Sequence, residues 1–185
     1  MGGVGGGGTD AARWKTLRPR GRKCIENMTS KDCKEAMRFG EGPKDAAVML
    51  VGQNPGKEEV KQGRPFVGRS GQYLNSVLEK YGLDRSRMYV TGVVKEPTPG
   101  NRKPKAAEIK RWMPCLEAEI KEVNPNVIVL MGRVAWKTPR FEGIDYIETY
   151  HPAAAMRFPK IRETFERDMK NLKRTMKAKH LKGLT

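Results

Sequence analysis

Long apolar runs are missing from this sequence: no stretch approaches the ~20 residues that a membrane span requires, and the glycine-rich start lacks the apolar core of a secretory signal. A soluble, intracellular chain is expected. Cysteine is scarce, with Cys24, Cys33 and Cys115 at wide and irregular spacing. That spacing resembles neither a disulfide framework nor a paired Cys-x-x-Cys knuckle, so the three read as buried or idle thiols in a reducing compartment. Histidine is rarer still, with only His151 and His180. Acidic residues are few, 21 Asp and Glu against 37 Lys and Arg, giving a formal charge of +16 and a pI near 10.0. The excess is spread along the chain and favours a polyanionic partner. Counterion release would make such binding salt-dependent, but RNA or an anionic membrane surface would suit the charge equally well.

With 185 residues and 37% apolar content, one compact domain is the default. Residues 1–23 read as a flexible leader, glycine-rich at first and then basic, and residues 24–185 as the single folded domain. The leader is no phosphate loop, since it neither follows a strand nor opens a helix. Its segment 13–23 carries six basic residues and no acidic one, as a phosphate-touching arm or a solvated tail would. Farther on, strand-length apolar runs at 46–52, 88–94, 127–132 and 146–150 alternate with helical patterns at 70–81, 105–123 and 162–177. Such alternation predicts an α/β fold: a three-layer sandwich around a central, mostly parallel four-stranded sheet. The working groups then belong where loops leave the carboxyl ends of the strands.

Three segments stand at those ends. Gly52-Gln53-Asn54-Pro55-Gly56 dictates a sharp turn and sets an amide pair on it, although a tight strand-to-helix connection needs the same residues. In Gly63-Arg64-Pro65-Phe66-Val67-Gly68-Arg69-Ser70-Gly71-Gln72, Phe66 sits in a loop with little pattern to bury it. It reads as a stacking platform for a flat base or as a core plug. Arg64, Arg69 and the helix start near Ser70 would attract phosphate. In Tyr150-His151-Pro152-Ala153-Ala154-Ala155-Met156-Arg157, His151 is the one candidate for an imidazole at the sheet's working edge, and small residues follow that would let DNA approach closely. The basic stretch 157–182, with ten Lys or Arg against three acidic residues, suits either flanking phosphates or a solvated helix face.

Taken in order, these segments resemble the uracil-DNA glycosylase superfamily, and within it family 4, whose members often carry an iron–sulfur cluster. The likeness runs from about Phe39 to Lys173. It also takes in Phe39-Gly40-Glu41-Gly42, Val94-Lys95 leading to Pro99-Gly100-Asn101-Arg102-Lys103-Pro104, and Leu130-Met131-Gly132-Arg133. The resemblance implies a monofunctional DNA glycosylase of base excision repair, cytoplasmic or nucleoid-associated, that flips a damaged base and hydrolyses its N-glycosidic bond. Cleavage builds oxocarbenium character on the sugar and negative charge on the leaving base, so a site needs a water positioner, an anion stabiliser and a stacking wall. By the resemblance Asn54 orients the water, His151 donates to a base carbonyl, the Gln53 backbone N–H helps hold the base, and Phe66 stacks on it, with Gly52 and Gly92 beside it. Met156 is then an apolar wedge, and Arg157 a phosphate ligand alongside Arg64, Arg69 and Ser70.

This sequence departs from the family 4 pattern at the turn, on a strand and at the cluster ligands. The turn usually carries Glu and Ala where Gln53 and Asn54 stand, and a strand asparagine that reads uracil is replaced by Gly92. Either a backbone group or another side chain then reads the base, or the target is broader: uracil in a mismatch, hypoxanthine or another damaged base. Glu96 and Trp112 occupy the interior cluster-cysteine positions, Cys115 falls three residues late, and only Cys24 lies near an expected N-terminal ligand. A four-cysteine cluster needs four thiolates and the chain holds three cysteines. No cluster, other cofactor or metal is expected, and Trp112 is expected to pack in the cluster's place. The alternatives are a catalytically weak or inactive nucleic-acid-binding member of the same fold, and a hydrolase of free nucleosides or nucleotides. A monomer acting on DNA, without a membrane role, is the expected form.

Overall fold

A computed structural model of the chain describes Cys33 and residues 39–185; the leader at 1–23, its basic arm and Cys24 lie outside the described residues. Four strands, β1 (Val48–Gly52), β2 (Tyr89–Gly92), β3 (Val127–Met131) and β4 (Asp145–Thr149), form one sheet in the order β2-β1-β3-β4. Every pairing in it is parallel. All residues of β1, β2 and β3 are buried, which is why these strands read as largely apolar runs rather than as alternation.

Helices cover both faces of the sheet. After β1 come α1 (Lys57–Gln62) and α2 (Arg69–Lys80); α3 (Ala106–Val123) joins β2 to β3; α4 (Pro152–Arg157) and α5 (Pro159–Ala178) follow β4. Met49, Val51, Ile128 and Leu130 pack against Trp112, Leu116 and Ile120 of α3 on one face. Val48, Leu50, Val127 and Val129 pack against Leu74 and Leu78 of α2 and Phe165, Met169 and Leu172 of α5 on the other. The basic helix α5 thus earns its place through an apolar stripe, with Phe165, Met169, Leu172 and Met176 all buried at helical spacing. Burying each such side chain is worth about 2 kcal/mol.

The sequence-based elements match these spans to within a few residues, but α1 and α4 were not expected. Each has only six residues. In α1 Val60 is the one large apolar residue, and α4 is opened by His151 as N-cap with Pro152 at its first position, where a missing N–H costs nothing. Among the described residues no helix is long and apolar enough to cross a membrane.

The cysteines correct the idle-thiol reading. Cys33 and Cys115 form a disulfide across 82 residues of sequence, with Cα atoms 4.9 Å apart. Spacing along the chain gave no sign of it, because the contact is made only when Cys33 reaches the buried face of α3.

Candidate active site

The chain runs from β1 outward to β2 and then crosses back to β3 on the other side of β1, so the strand order reverses beside β1. A crevice at the carboxyl ends is the consequence. A cavity of about 460 Å³ opens there, lined by Gln53, Asn54, Phe66, Ser70, Gly92, His151 and Arg157 among others. Seven of the residues singled out from sequence therefore meet in one cleft.

The Gly52–Gly56 turn fixes the Asn54 amide. Its Nδ2 donates to the Pro55 carbonyl at 3.2 Å and to Thr98 Oγ1 at 3.3 Å, while Oδ1 accepts from Gln53 Nε2 at 3.0 Å. Both amide hydrogens are committed, and the carbonyl oxygen keeps a second lone pair. The Gln53 carbonyl accepts from Val94 N at 2.9 Å, which ties the turn to the segment after β2.

Phe66 has a left-handed backbone, φ 51°, and is only 8% exposed. Strain of this kind at a non-glycine residue persists only where neighbours over-determine it. Here Arg85 donates to the carbonyls of Pro65 at 2.6 Å and Phe66 at 2.9 Å. From the other side one carboxyl oxygen of the buried Glu59 accepts the N–H groups of Val67 at 3.1 Å and Gly68 at 2.9 Å. The Phe66 ring lies against Gly52, where a Cβ would come within 2.4 Å of it, and a Cβ at Gly71 would meet the Phe66 carbonyl at 2.0 Å. The ring stacks on His151 with centroids 5.9 Å apart.

His151 caps α4: its Nδ1 accepts the Ala153 N–H at 3.1 Å. The proton of the neutral ring therefore sits on Nε2. Burial pushes the imidazole down from 6.5 to about 4, against a smaller upward pull from Glu59. At neutral pH His151 is an uncharged hydrogen-bond donor in the wall of the cleft.

Not every expected residue joins the cleft. Arg64 makes two hydrogen bonds to Glu41, at 2.6 and 3.0 Å, and its guanidinium holds that carboxyl below its usual range. It borders a separate depression with Glu41 and Arg85. Arg69 is exposed at the start of α2, next to Ser70 in the cleft wall. Met156 is partly buried and does not line the cavity, whereas Phe158 does. Glu59, Thr98 and Asn101 also border or brace the cleft, and the sequence reading gave them no role. Glu59 stands in a charged stretch, Lys57-Glu58-Glu59, with nothing to distinguish it from its neighbour.

A family model described as the uracil DNA glycosylase superfamily matches residues 39–173. The chain belongs to the uracil DNA glycosylase superfamily. Among its relatives, a type-4 uracil-DNA glycosylase of Sulfurisphaera tokodaii is 35% identical over 158 residues, 72% of this chain and 72% of that protein. One of Pyrobaculum aerophilum is 35% identical over 153 residues, 70% and 78% of the two chains. Another, of Archaeoglobus fulgidus, is 33% identical over 156 residues, 72% and 78% of the two.

The residues present do not fit the iron–sulfur cluster found in family 4. Glu96 accepts from Trp112 Nε1 at 3.2 Å and pairs with Arg111. Cys115 is bonded to Cys33, and no group of three or more His, Cys, Asp or Glu among the described residues is arranged to hold a metal. Trp112, 2% exposed, packs in the α3 core cluster together with Cys115.

Proposed function

We propose that this superfamily member hydrolyses the N-glycosidic bond of uracil, or of a related deaminated base, flipped out of DNA into the cleft. The observation that carries the reading is His151. An imidazole held neutral by burial, with Nδ1 occupied by the Ala153 N–H, presents Nε2–H as a donor beside the amide of Asn54 and the ring of Phe66. A neutral donor stabilises charge developing on a leaving base without first binding the neutral base as tightly as a cation would.

Asn54 completes the arrangement. With both amide hydrogens committed, its carbonyl oxygen is oriented to accept from a water and aim it at C1′. An amide is no strong base, so most of the acceleration comes from leaving-group stabilisation, with Phe66 as the wall of the base pocket. Ser70, Arg69, Met156 and Arg157 meet the DNA around the cleft mouth, with the arginines on phosphates. Arg64 contributes there only by exchanging Glu41 for phosphate. The protein acts as a monomer on a single lesion.

Gly92 sets the specificity. It lines the cleft without a side chain, and an added Cβ would meet the Gln53 backbone carbonyl at 3.3 Å, a contact tight enough that the turn must shift by a few tenths of an ångström. The base edge is thus read without an asparagine at this position, and related deaminated bases are admitted beside uracil. The test is a panel of labelled single- and double-stranded oligonucleotides holding uracil, hypoxanthine, a thymine mismatch or no lesion, followed by alkaline scission. Scission at a lesion, reduced by Asn54→Ala and by His151→Ala and narrowed toward uracil by Gly92→Asn, supports the reading. Tight, salt-sensitive binding with no scission of any substrate replaces it with a non-catalytic nucleic-acid-binding member of the fold.

A further inference from the structure

Only two large hydrophobic side chains among the described residues are exposed, Tyr150 at 36% and Phe158 at 54%. Tyr150 packs its ring toward Trp136, with centroids 6.1 Å apart, and does not line the cleft. Phe158 stands at the rim of the cleft next to Arg157. With 54% of its surface in water, Phe158 forfeits about half of the ~2 kcal/mol that full burial gives a phenyl ring, which a partner covering it would restore.

Its backbone, by contrast, is held on every side. Phe158 lies at the corner between α4 and α5, where its N–H donates to Ala154 O at 3.0 Å and its carbonyl accepts from Arg162 N at 2.9 Å. The Arg162 side chain donates to the carbonyls of Ala155 at 3.3 Å and Met156 at 3.1 Å, clamping the end of α4 onto α5. Pro159 restricts Phe158 to the extended backbone observed, φ −121° and ψ 115°. The corner is thus a rigid mount for an exposed aromatic ring, with Arg157 and Lys160 beside it to hold a phosphate backbone.

We infer that Phe158, rather than Met156, is the wedge that enters the duplex and fills the gap left by the flipped nucleotide. The inference rests on the glycosylase reading above and assigns a positioning residue within it. An aromatic wedge stacks on the bases flanking the vacancy and so opposes return of the base. Met156 is partly buried and does not line the cleft, whereas Phe158 is exposed at its rim, which leaves Phe158 as the apolar side chain placed to enter the stack.

A wedge matters only where there is a stack to fill. The test compares kcat/KM for uracil release from duplex and single-stranded oligonucleotides in the wild type, Phe158→Ala, Phe158→Trp and Met156→Ala. The fluorescence of a 2-aminopurine beside the lesion serves as a direct report of unstacking. Phe158→Ala should lose ~5- to 150-fold on duplex, the span of a base–aromatic stack, and stay near wild type on the single strand. Phe158→Trp should keep the duplex rate, and the 2-aminopurine signal should fall only in the alanine variant. Equal losses on both substrates, no loss on either, or a duplex-specific loss in Met156→Ala instead would overturn the assignment. A wild-type protein that releases neither uracil nor another deaminated base from either substrate overturns the glycosylase reading, and the wedge with it.

Discussion

Acidifying the protein from about pH 8 should leave His151 unprotonated until close to the bottom of the range in which the fold survives. Burial in the cleft lowers its pKa from 6.5 to about 4, with Glu59 opposing in part. Protonation at Nδ1 would also end the cap on Ala153. The sign of the stability effect follows from proton counts: between the two values the unfolded chain holds a proton that the folded chain refuses, so stability falls as pH falls. The displacement corresponds to about 3 kcal/mol, complete above 6.5 and lost by about 4. Because the chain has only two histidines, His151 and His180, an NMR titration of the imidazole C–H resonances can follow each, with His151→Asn as the assignment control. The His151 midpoint should lie near 4, with the neutral ring protonated on Nε2. Single-turnover base release should show no inflection near 6.5 attributable to this residue. His151→Ala should lose ~10²–10³-fold in rate through the missing donor. It should also lose ~1 kcal/mol of stability through the missing cap. A His151 resonance titrating near 6.5, or a rate inflection there that vanishes in His151→Ala, would refute the desolvated neutral donor.

Glu59→Ala should strand two N–H groups of the Phe66 loop at ~1–3 kcal/mol each. Glu59→Gln should cost much less, since one retained oxygen accepts both, and it should move the His151 midpoint lower still. Equal losses for the two variants in a denaturant melt would show that charge, not the pair of bonds, holds the loop. For the disulfide, thiol titration of the unreduced, denatured protein should find one of the three cysteines, and all three after reduction. Closing an 82-residue loop is worth up to ~4.5 kcal/mol, so reduction and Cys115→Ser should both lower Tm, and three titratable thiols without reductant would contradict the pairing. Lys95 and Glu119 form an ion pair with both side chains 0% exposed, joined by the hydroxyls of Tyr89 and Thr91. Lys95→Met should therefore cost ~3–5 kcal/mol by leaving a buried charge unpaired, and Lys95→Met with Glu119→Leu should regain most of it.

The division between what the sequence discloses and what it conceals is one of range. Strands of the parallel sheet announce themselves because both faces of Val48–Gly52 and Val127–Met131 are buried, and α5 does so because Phe165, Met169, Leu172 and Met176 recur at helical spacing. The turn at Gly52–Gly56 and His151 before Pro152 are local patterns at strand ends, and the topology brings both to one crevice. What escaped detection depends on partners outside any local periodic pattern, from eight to 82 residues away. Glu59 is one carboxylate in a charged run until the loop eight and nine residues on folds over it. Cys33 and Cys115 meet across 82 residues, and Arg64, basic and beside Pro65, looks like a phosphate ligand until Glu41 takes it. Phe158 is the converse case. An aromatic between Arg157 and Pro159 carries no periodic signal, and its significance lies in its being left more than half exposed at the edge of a cleft. Groups that build the site through local sequence are legible, whereas those that hold it rigid, or wait for a partner outside the chain, emerge only from the fold; the rigid mount at the α4–α5 corner joins the two kinds in a single element.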